Sequence, residues 1–249
     1  MRRLVQRFLG AVAFMTRLPV PHSVQSLPNG LSSSAVFFPI VGLVVSAGAI
    51  VVNHLFSRFV PHDVVIVFVL VFLVAITGGF HEDALADAAD GFGGGWDKEQ
   101  ILTIMRDSRV GSFGALAITL ALLARFVFLT NIPPHRLDNY LVAGEVTCRW
   151  TALPLAFFLS PARQQSGQGA QVAGKITTLS LITGTLMTAV IVGLALGMKA
   201  LWVGLAAAVV TGASGAYYRR RIGGITGDCL GATNQLTEVA VYFAGVVLR

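Results

Sequence analysis

The sequence predicts an all-α fold, a polytopic bundle of membrane-crossing helices, and three observations carry that prediction. Hydrophobic residues make up 55% of the 249 and charged residues only 12%, with a mean hydropathy of +0.74, whereas about a quarter of an ordinary soluble domain is charged. Seven apolar runs, at 35–55, 63–80, 112–130, 140–159, 176–196, 199–217 and 230–248, approach the roughly 20 residues that a helix needs to cross a bilayer. Between these runs the polar residues gather into a few dense motifs. The expectation is a single membrane-embedded domain over 1–249 with about seven spans. The turn between the fifth and sixth runs is very short, so a re-entrant pair and a six-span count stay open.

The N-terminal stretch is different in kind. Val5, Phe8, Leu9, Val12 and Ala13 recur at helical spacing while Arg2, Arg3 and Arg7 flank them, which predicts an amphipathic helix within 1–20 lying in the membrane interface. Thr16-Arg17-Leu18-Pro19-Val20-Pro21 ends it, because proline disfavours helical continuation. No convincing cleavage site follows, so it does not read as a signal peptide. Cys148 and Cys229 are the only cysteines, and their separation supports neither a disulfide framework nor a zinc site. The formal net charge of +6 is spread over loop positions, which argues against nucleic-acid binding and for a use in orientation.

With the N-terminus in the cytoplasm, Arg2, Arg3, Arg7, Arg17, Lys98, Arg106, Arg109, Arg163, Lys175, Arg219, Arg220 and Arg221 fall inside. Only Arg58, Arg136, Lys199 and Arg249 fall outside. Cytoplasmic loops carry the excess of Lys and Arg in membrane proteins, so this orientation is the consistent one. It puts the connection at 81–111 and the loop at 218–229 on the same, cytoplasmic face. The stretch 164–171, rich in Ser, Gln and Gly, reads as a flexible loop.

The connection after the second run begins Gly78-Gly79-Phe80-His81-Glu82-Asp83-Ala84-Leu85-Ala86-Asp87-Ala88-Ala89-Asp90-Gly91-Phe92-Gly93-Gly94-Gly95. If 81–90 continue the preceding helix, Asp83, Asp87 and Asp90 stand at i, i+4 and i+7 on one face. Like charges so placed repel, and hard cations such as Mg²⁺ take carboxylate oxygens, often with substrate phosphates completing the shell. A solvated acidic helix end is the plainer alternative. The glycines Gly91 and Gly93 to Gly95 end that helix and permit close backbone approach. Asp97 is placed to cap a short helix from Lys98 to Asp107, whose far end delivers Arg106, Asp107, Ser108 and Arg109. The planar fork of arginine suits phosphate oxygens; a positive-inside flank of the third span is the alternative for Arg106 and Arg109.

Deeper residues stand out as well. Glu145 and Arg149 are four apart within the fourth run, and an intramembrane ion pair faces a bundle interior or polar cavity. Arg125 is expected to snorkel to the interface at the outer end of the third span. In the last motif, Gly223-Gly224-Ile225-Thr226-Gly227-Asp228 opens the final run, with Asn234, Gln235 and Glu238 two to three turns further in. Helix N-termini bind anions, and Asp228 is suited to join a metal shell, to orient a hydroxyl or simply to cap the helix.

These motifs together resemble the cobalamin synthase family. The resemblance rests on residues 78–95, on Met105-Arg106-Asp107-Ser108-Arg109-Val110-Gly111-Ser112-Phe113-Gly114 and on Gly223-Gly224-Ile225-Thr226-Gly227-Asp228-Cys229-Leu230-Gly231-Ala232. Phe14-Met15-Thr16-Arg17-Leu18-Pro19, Phe38-Pro39-Ile40-Val41-Gly42 and Arg149-Trp150 extend it to nearly the whole chain. Ala84 stands where the family usually has glycine. The resemblance implies a Mg²⁺-dependent, multi-pass enzyme of the bacterial inner membrane with a cytoplasmic active site, in the last steps of coenzyme B12 assembly. Such an enzyme joins adenosylcobinamide-GDP to α-ribazole or its 5′-phosphate and releases GMP. Phosphoryl transfer asks mainly for alignment and charge neutralisation. The expected metal ligands are Asp83, Asp87 and Asp90, with Glu82 and Asp107 accessory, and the expected base is His81 or Asp228. Arg106 and Arg109 are expected to clamp the diphosphate, with Gly93, Gly94, Ser108, Arg149, Gly224, Thr226, Asn234 and Glu238 as further substrate contacts. Self-association is compatible with the sequence. Two rivals remain: Asp87-x-x-Asp90-Gly91 also opens the CDP-alcohol phosphotransferase motif, although Gly94-Gly95 replaces its Ala-Arg, and a cation transporter could string Asp83, Asp87, Glu145 and Glu238 along a path.

Overall fold

The computed structural model describes residues 2–21, 30–163, 172 and 175–248; the loop expected at 164–171, and Arg249, lie outside them. Within the described residues the chain is helical, with one isolated bridge between Pro161 and Ile225. The helices run α1 (Arg2–Met15), α2 (Gly30–Ser34), α3 (Phe38–Phe56), α4 (His62–Thr77), α5 (Phe80–Gly94) and α6 (Lys98–Ile104). After these come α7 (Ser112–Asn131), α8 (Pro134–Trp150), α9 (Ala152–Phe158), α10 (Thr178–Leu196), α11 (Ala200–Ile222) and α12 (Gly227–Val247).

The centre of the bundle is α12, which packs on α5, α7, α8 and α11, while α3 lies mainly against α8. The outer helices turn their apolar side chains outward: Leu116, Leu120, Leu123 and Val127 on α7 and Leu179, Ile182, Leu186, Val190 and Leu194 on α10 are all exposed. Their spacing of three to four residues marks one face of each helix. In water such faces would be costly, but in hydrocarbon they are the solvent-facing side. Among the described residues, Leu31–Phe56, Ser112–Asn131 and Thr178–Ile222 are long and apolar enough to cross a membrane, and α4 with α5 qualifies only as a bent pair. That is three or four stretches by length and composition, against the seven expected. The polar residues of α12 and the shortness of α8, 17 residues, keep these two out of that count.

The 45-residue stretch Thr178–Ile222 is not one straight rod. Gly184 lies against Leu153 and Gly215 against Leu155, two residues apart on α9. In a continuous helix these glycines would stand about 46 Å apart at roughly 1.5 Å per residue. The chain therefore doubles back at Gly197–Lys199, where Gly197 has φ +57°.

The acidic segment also departs from expectation. Residues 81–90 do not continue the preceding helix: α4 stops at Thr77, Gly78 and Gly79 take φ of +68° and +70°, and α5 leaves at 84° to α4. Two consecutive left-handed residues are readily available only to glycine. Most of the expected 81–111 connection is thus helical, as α5 and then α6. A helix forms over Arg2–Met15, within the stretch where one was expected, and buries Ala11, Val12 and Met15 against the bundle. Phe14 stacks on Phe38 and meets Phe80 edge-on.

Candidate active site

Although α5 is not an extension of α4, its own helical period still aligns Asp83, Asp87 and Asp90. The three differ in setting. Asp83 is exposed, Asp87 half-buried and Asp90 buried. Asp90 Oδ2 accepts the Gly111 amide at 2.7 Å and Oδ1 accepts the Gly114 amide at 2.9 Å, so it caps α7 from another helix. A Cβ on Gly111 or Gly114 would fall 2.4 Å from an Asp90 oxygen, which is why the approach needs glycine there. Asp83, Asp228 and Asp90 all repel the Asp87 carboxylate, and Arg163 offers it an opposing charge.

Asp228 arrives from the other motif. Thr226, not Asp228, caps α12: its Oγ1 accepts the Cys229 amide at 3.2 Å and its hydroxyl lies 3.2 Å from Asp228 Oδ2. That leaves Asp228 in the first turn of α12, within the field of Asp83 and Arg163. The two motifs are tied together at their ends. Arg221 donates to Gly95 O at 2.9 Å while its guanidinium lies over the rings of Phe92 and Tyr217.

The connection between α6 and α7 holds the expected arginines at the surface. Asp97 caps α6 by accepting the Gln100 amide at 2.9 Å, as expected, although the helix ends at Ile104 and not at Asp107. Arg109 Nε donates to Asp107 Oδ1 at 2.9 Å. That bond and the adjacent charge hold the Asp107 carboxyl down at about 2. Arg106 and Ser108 are exposed. Gly93 backs onto the Phe113 ring and Gly94 onto Ile104, so both serve packing between α5 and its neighbours.

A second polar group lies in the bundle interior. Arg149 Nη1 donates to Glu145 O at 3.0 Å and pairs with the Glu145 carboxylate, which also receives Tyr242 OH at 3.3 Å. Arg125 does not snorkel: it is 1% exposed and donates to Glu238 and to Glu82, both at 2.9 Å. Burying a guanidinium requires paired charge, and two glutamates from α5 and α12 supply it. Glu82, Arg149 and Glu238 are thereby engaged here and not with Asp83 and Asp87. His81 is buried under the fields of Arg149 and Arg125 and lines a small pocket with Asn234, Phe14, Phe80 and Gly231. Of the two expected bases, only Asp228 is grouped with the acidic face of α5.

Sequence reasoning used Arg163 only for orientation, yet it is the arginine whose charge reaches both Asp87 and Asp228. Arg125 was visible as an intramembrane charge, which is by default a functional hypothesis. Among the described residues no three His, Cys, Asp or Glu side chains converge as a ready-made metal cage. Asp83, Asp87 and Asp228 nonetheless fit Mg²⁺ in donor chemistry, since that ion is held by one or two carboxylates with waters and substrate phosphates.

Comparison with known proteins adds an independent line. The family model described as Cobalamin-5-phosphate synthase matches residues 7–246. A protein of Shewanella woodyi is 34% identical over 246 residues, covering 97% of this chain and 96% of its own. Its counterparts in Shewanella pealeana and Shewanella amazonensis are each 36% identical, covering 97% and 99% of this chain and 95% and 97% of their own. All three are named adenosylcobinamide-GDP ribazoletransferase. No solved structure matches.

Proposed function

The chain belongs to the cobalamin-5-phosphate synthase family, and on that footing we propose that it joins adenosylcobinamide-GDP to α-ribazole or α-ribazole 5′-phosphate, releasing GMP. The enzyme is a transferase. The observation that carries the finer reading is that Asp83 and Asp87 on α5 and Asp228 at the start of α12, on two helices that pack together, lie within one another's electrostatic field.

In this reading a ribose hydroxyl of the acceptor attacks the cobinamide-side phosphorus. A new P–O bond forms, the bond to the bridging oxygen breaks, and the electron pair leaves with GMP. Asp228 takes the hydroxyl proton, since it combines a carboxylate base with a place beside the acidic face. Asp83 and Asp87 are the residues that would hold Mg²⁺, which would supply charge neutralisation for the phosphoryl transfer. Asp90 keeps α7 and α5 in register through its two amide bonds. The buried Glu82–Arg125–Glu238 and Glu145–Arg149 groups fix the helices that carry the site. The site faces the cytoplasm in the inner membrane, as the distribution of Lys and Arg favours.

The test uses the full chain in detergent with adenosylcobinamide-GDP, α-ribazole and Mg²⁺. GMP is expected with both substrates present and not after chelation by EDTA. Release of GMP without an acceptor, or full turnover in EDTA, overturns the reading.

A further inference from the structure

We propose that Arg163 binds the diphosphate of the donor substrate, as the guanidinium that faces the carboxylates of α5 and α12 across the site. The inference rests on the transferase reading above.

The backbone at Arg163 is fixed by the motif it serves. The Ala162 amide donates to Ile225 O at 2.9 Å and the Ile225 amide to Ser160 O at 3.0 Å, so residues 160–162 lie strand-like along Gly224-Ile225. A Cβ on Gly224 would sit 2.3 Å from Ser160 O, so glycine is what allows this contact. The next residue is Arg163, and three positions beyond Ile225 is Asp228.

The side chain is held but not neutralised. Its Nη2 donates to Leu102 O on α6 at 2.6 Å, and its Nε is buried without a partner. The charges around it come from three elements: Arg106 after α6, Asp228 on α12 and Asp87 on α5. Burial and the like charge of Arg106 both hold the guanidinium below its ordinary value, against the pull of the two carboxylates. The two guanidiniums repel each other, and so do the carboxylates of Asp83, Asp87 and Asp228. A phosphate with its metal relieves both sides, giving oxygens to the arginines and positive charge to the carboxylates. Arg109 pairs with Asp107, Arg149 with Glu145 and Arg125 with its two glutamates.

The experiment compares the wild type with Arg163→Ala and Arg163→Lys, all as full chains in detergent. In turnover, Arg163→Ala is expected to raise KM for adenosylcobinamide-GDP by about tenfold to a hundredfold, as loss of a charge-assisted phosphate contact does, with KM for α-ribazole unchanged. The lysine variant keeps the charge but loses the planar fork, and is expected to recover part of the loss. In parallel, inorganic pyrophosphate with Mg²⁺ is expected to raise the melting temperature of the wild type and, much less, that of Arg163→Ala. Unchanged KM for the donor, or equal or absent protection by pyrophosphate in both proteins, overturns the proposal. Protection that depends on Arg163 in a wild type releasing no GMP upholds the anion site and rejects the transferase reading. If the alanine variant does not fold, the lysine variant decides by the same two readouts.

Discussion

Asp83, Asp87 and Asp90 share a helix face, yet their oxygens do different things. Those of Asp90 are taken by the amides of Gly111 and Gly114, so its loss should be felt in folding. Removal of a capping carboxylate costs about 0.5–2 kcal/mol, and Asp90→Ala should lower the melting temperature in detergent measurably. Asp87→Asn should leave that temperature unchanged or raise it, since the carboxylate is repelled by its neighbours, while cutting GMP release by about a hundredfold or more, as loss of a group acting on phosphoryl charge does. A thermal scan beside a turnover assay separates the two. If Asp90→Ala melts like the wild type, the capping role assigned to Asp90 is wrong; near-normal turnover by Asp87→Asn would remove Asp87 from the proposed metal site. The spacing of the three aspartates was legible in the sequence because a helix repeats locally. The split in their roles was not, since the amides that claim Asp90 lie 21 and 24 residues onward. Arg125 fails to be legible for the same reason more strongly: its partners are 43 and 113 residues away.

At the level of elements, α3, α4, α7, α10, α11 and α12 follow from apolar run length, whereas the run at 140–159 is split between α8 and α9 and the joint between α4 and α5 does not follow at all. The apolar run up to Gly79 is compatible with a helix that continues into 81–90, and nothing local in it specifies the angle of 84°. What positions α5 is its contact with α12, at the point where Ala84 meets Gly231. A Cβ on Gly231 would come 2.4 Å from the Ala84 Cβ, so the pair accommodates one methyl group and no more. The glycine opposite leaves room for the Ala84 methyl group. Gly231→Ala should therefore destabilise by about 1–3 kcal/mol through overpacking, and the Ala84→Gly/Gly231→Ala double variant should recover most of that loss. A double-mutant cycle on thermal stability reads the coupling directly. Additive losses would mean that the two helices are held apart by something other than this contact.

The molecule as a whole is sorted by polarity in the sense opposite to a soluble protein. Its lipid-facing helices, α7 with α10 and α11, expose leucines, whereas Arg125, Glu145, Arg149 and Glu238 are all buried. A bilayer tolerates such charges only inside the bundle, paired, and this explains why α8 and α12 lack the hydropathy of simple spans. Hydropathy alone thus finds the periphery of the fold and understates its centre. Orientation follows from charge: the ends of α6 and α11 carry Arg106, Arg109, Arg219, Arg220 and Arg221, while the turn at Gly197–Lys199 has one lysine. Since α10 and α11 form a hairpin, that turn should lie across the membrane from the site. Single cysteines at Met198, Arg109 and Arg220, all exposed positions, test this with a membrane-impermeant maleimide, because the native Cys148 and Cys229 are buried. In intact cells Met198→Cys should react, while Arg109→Cys and Arg220→Cys should react only after permeabilisation. Labelling of the two arginine positions from outside would reverse the orientation and with it the cytoplasmic placement proposed for the site. Failure of Met198→Cys to react from outside, with the other two protected, would make α10 and α11 a re-entrant pair and reduce the span count by two.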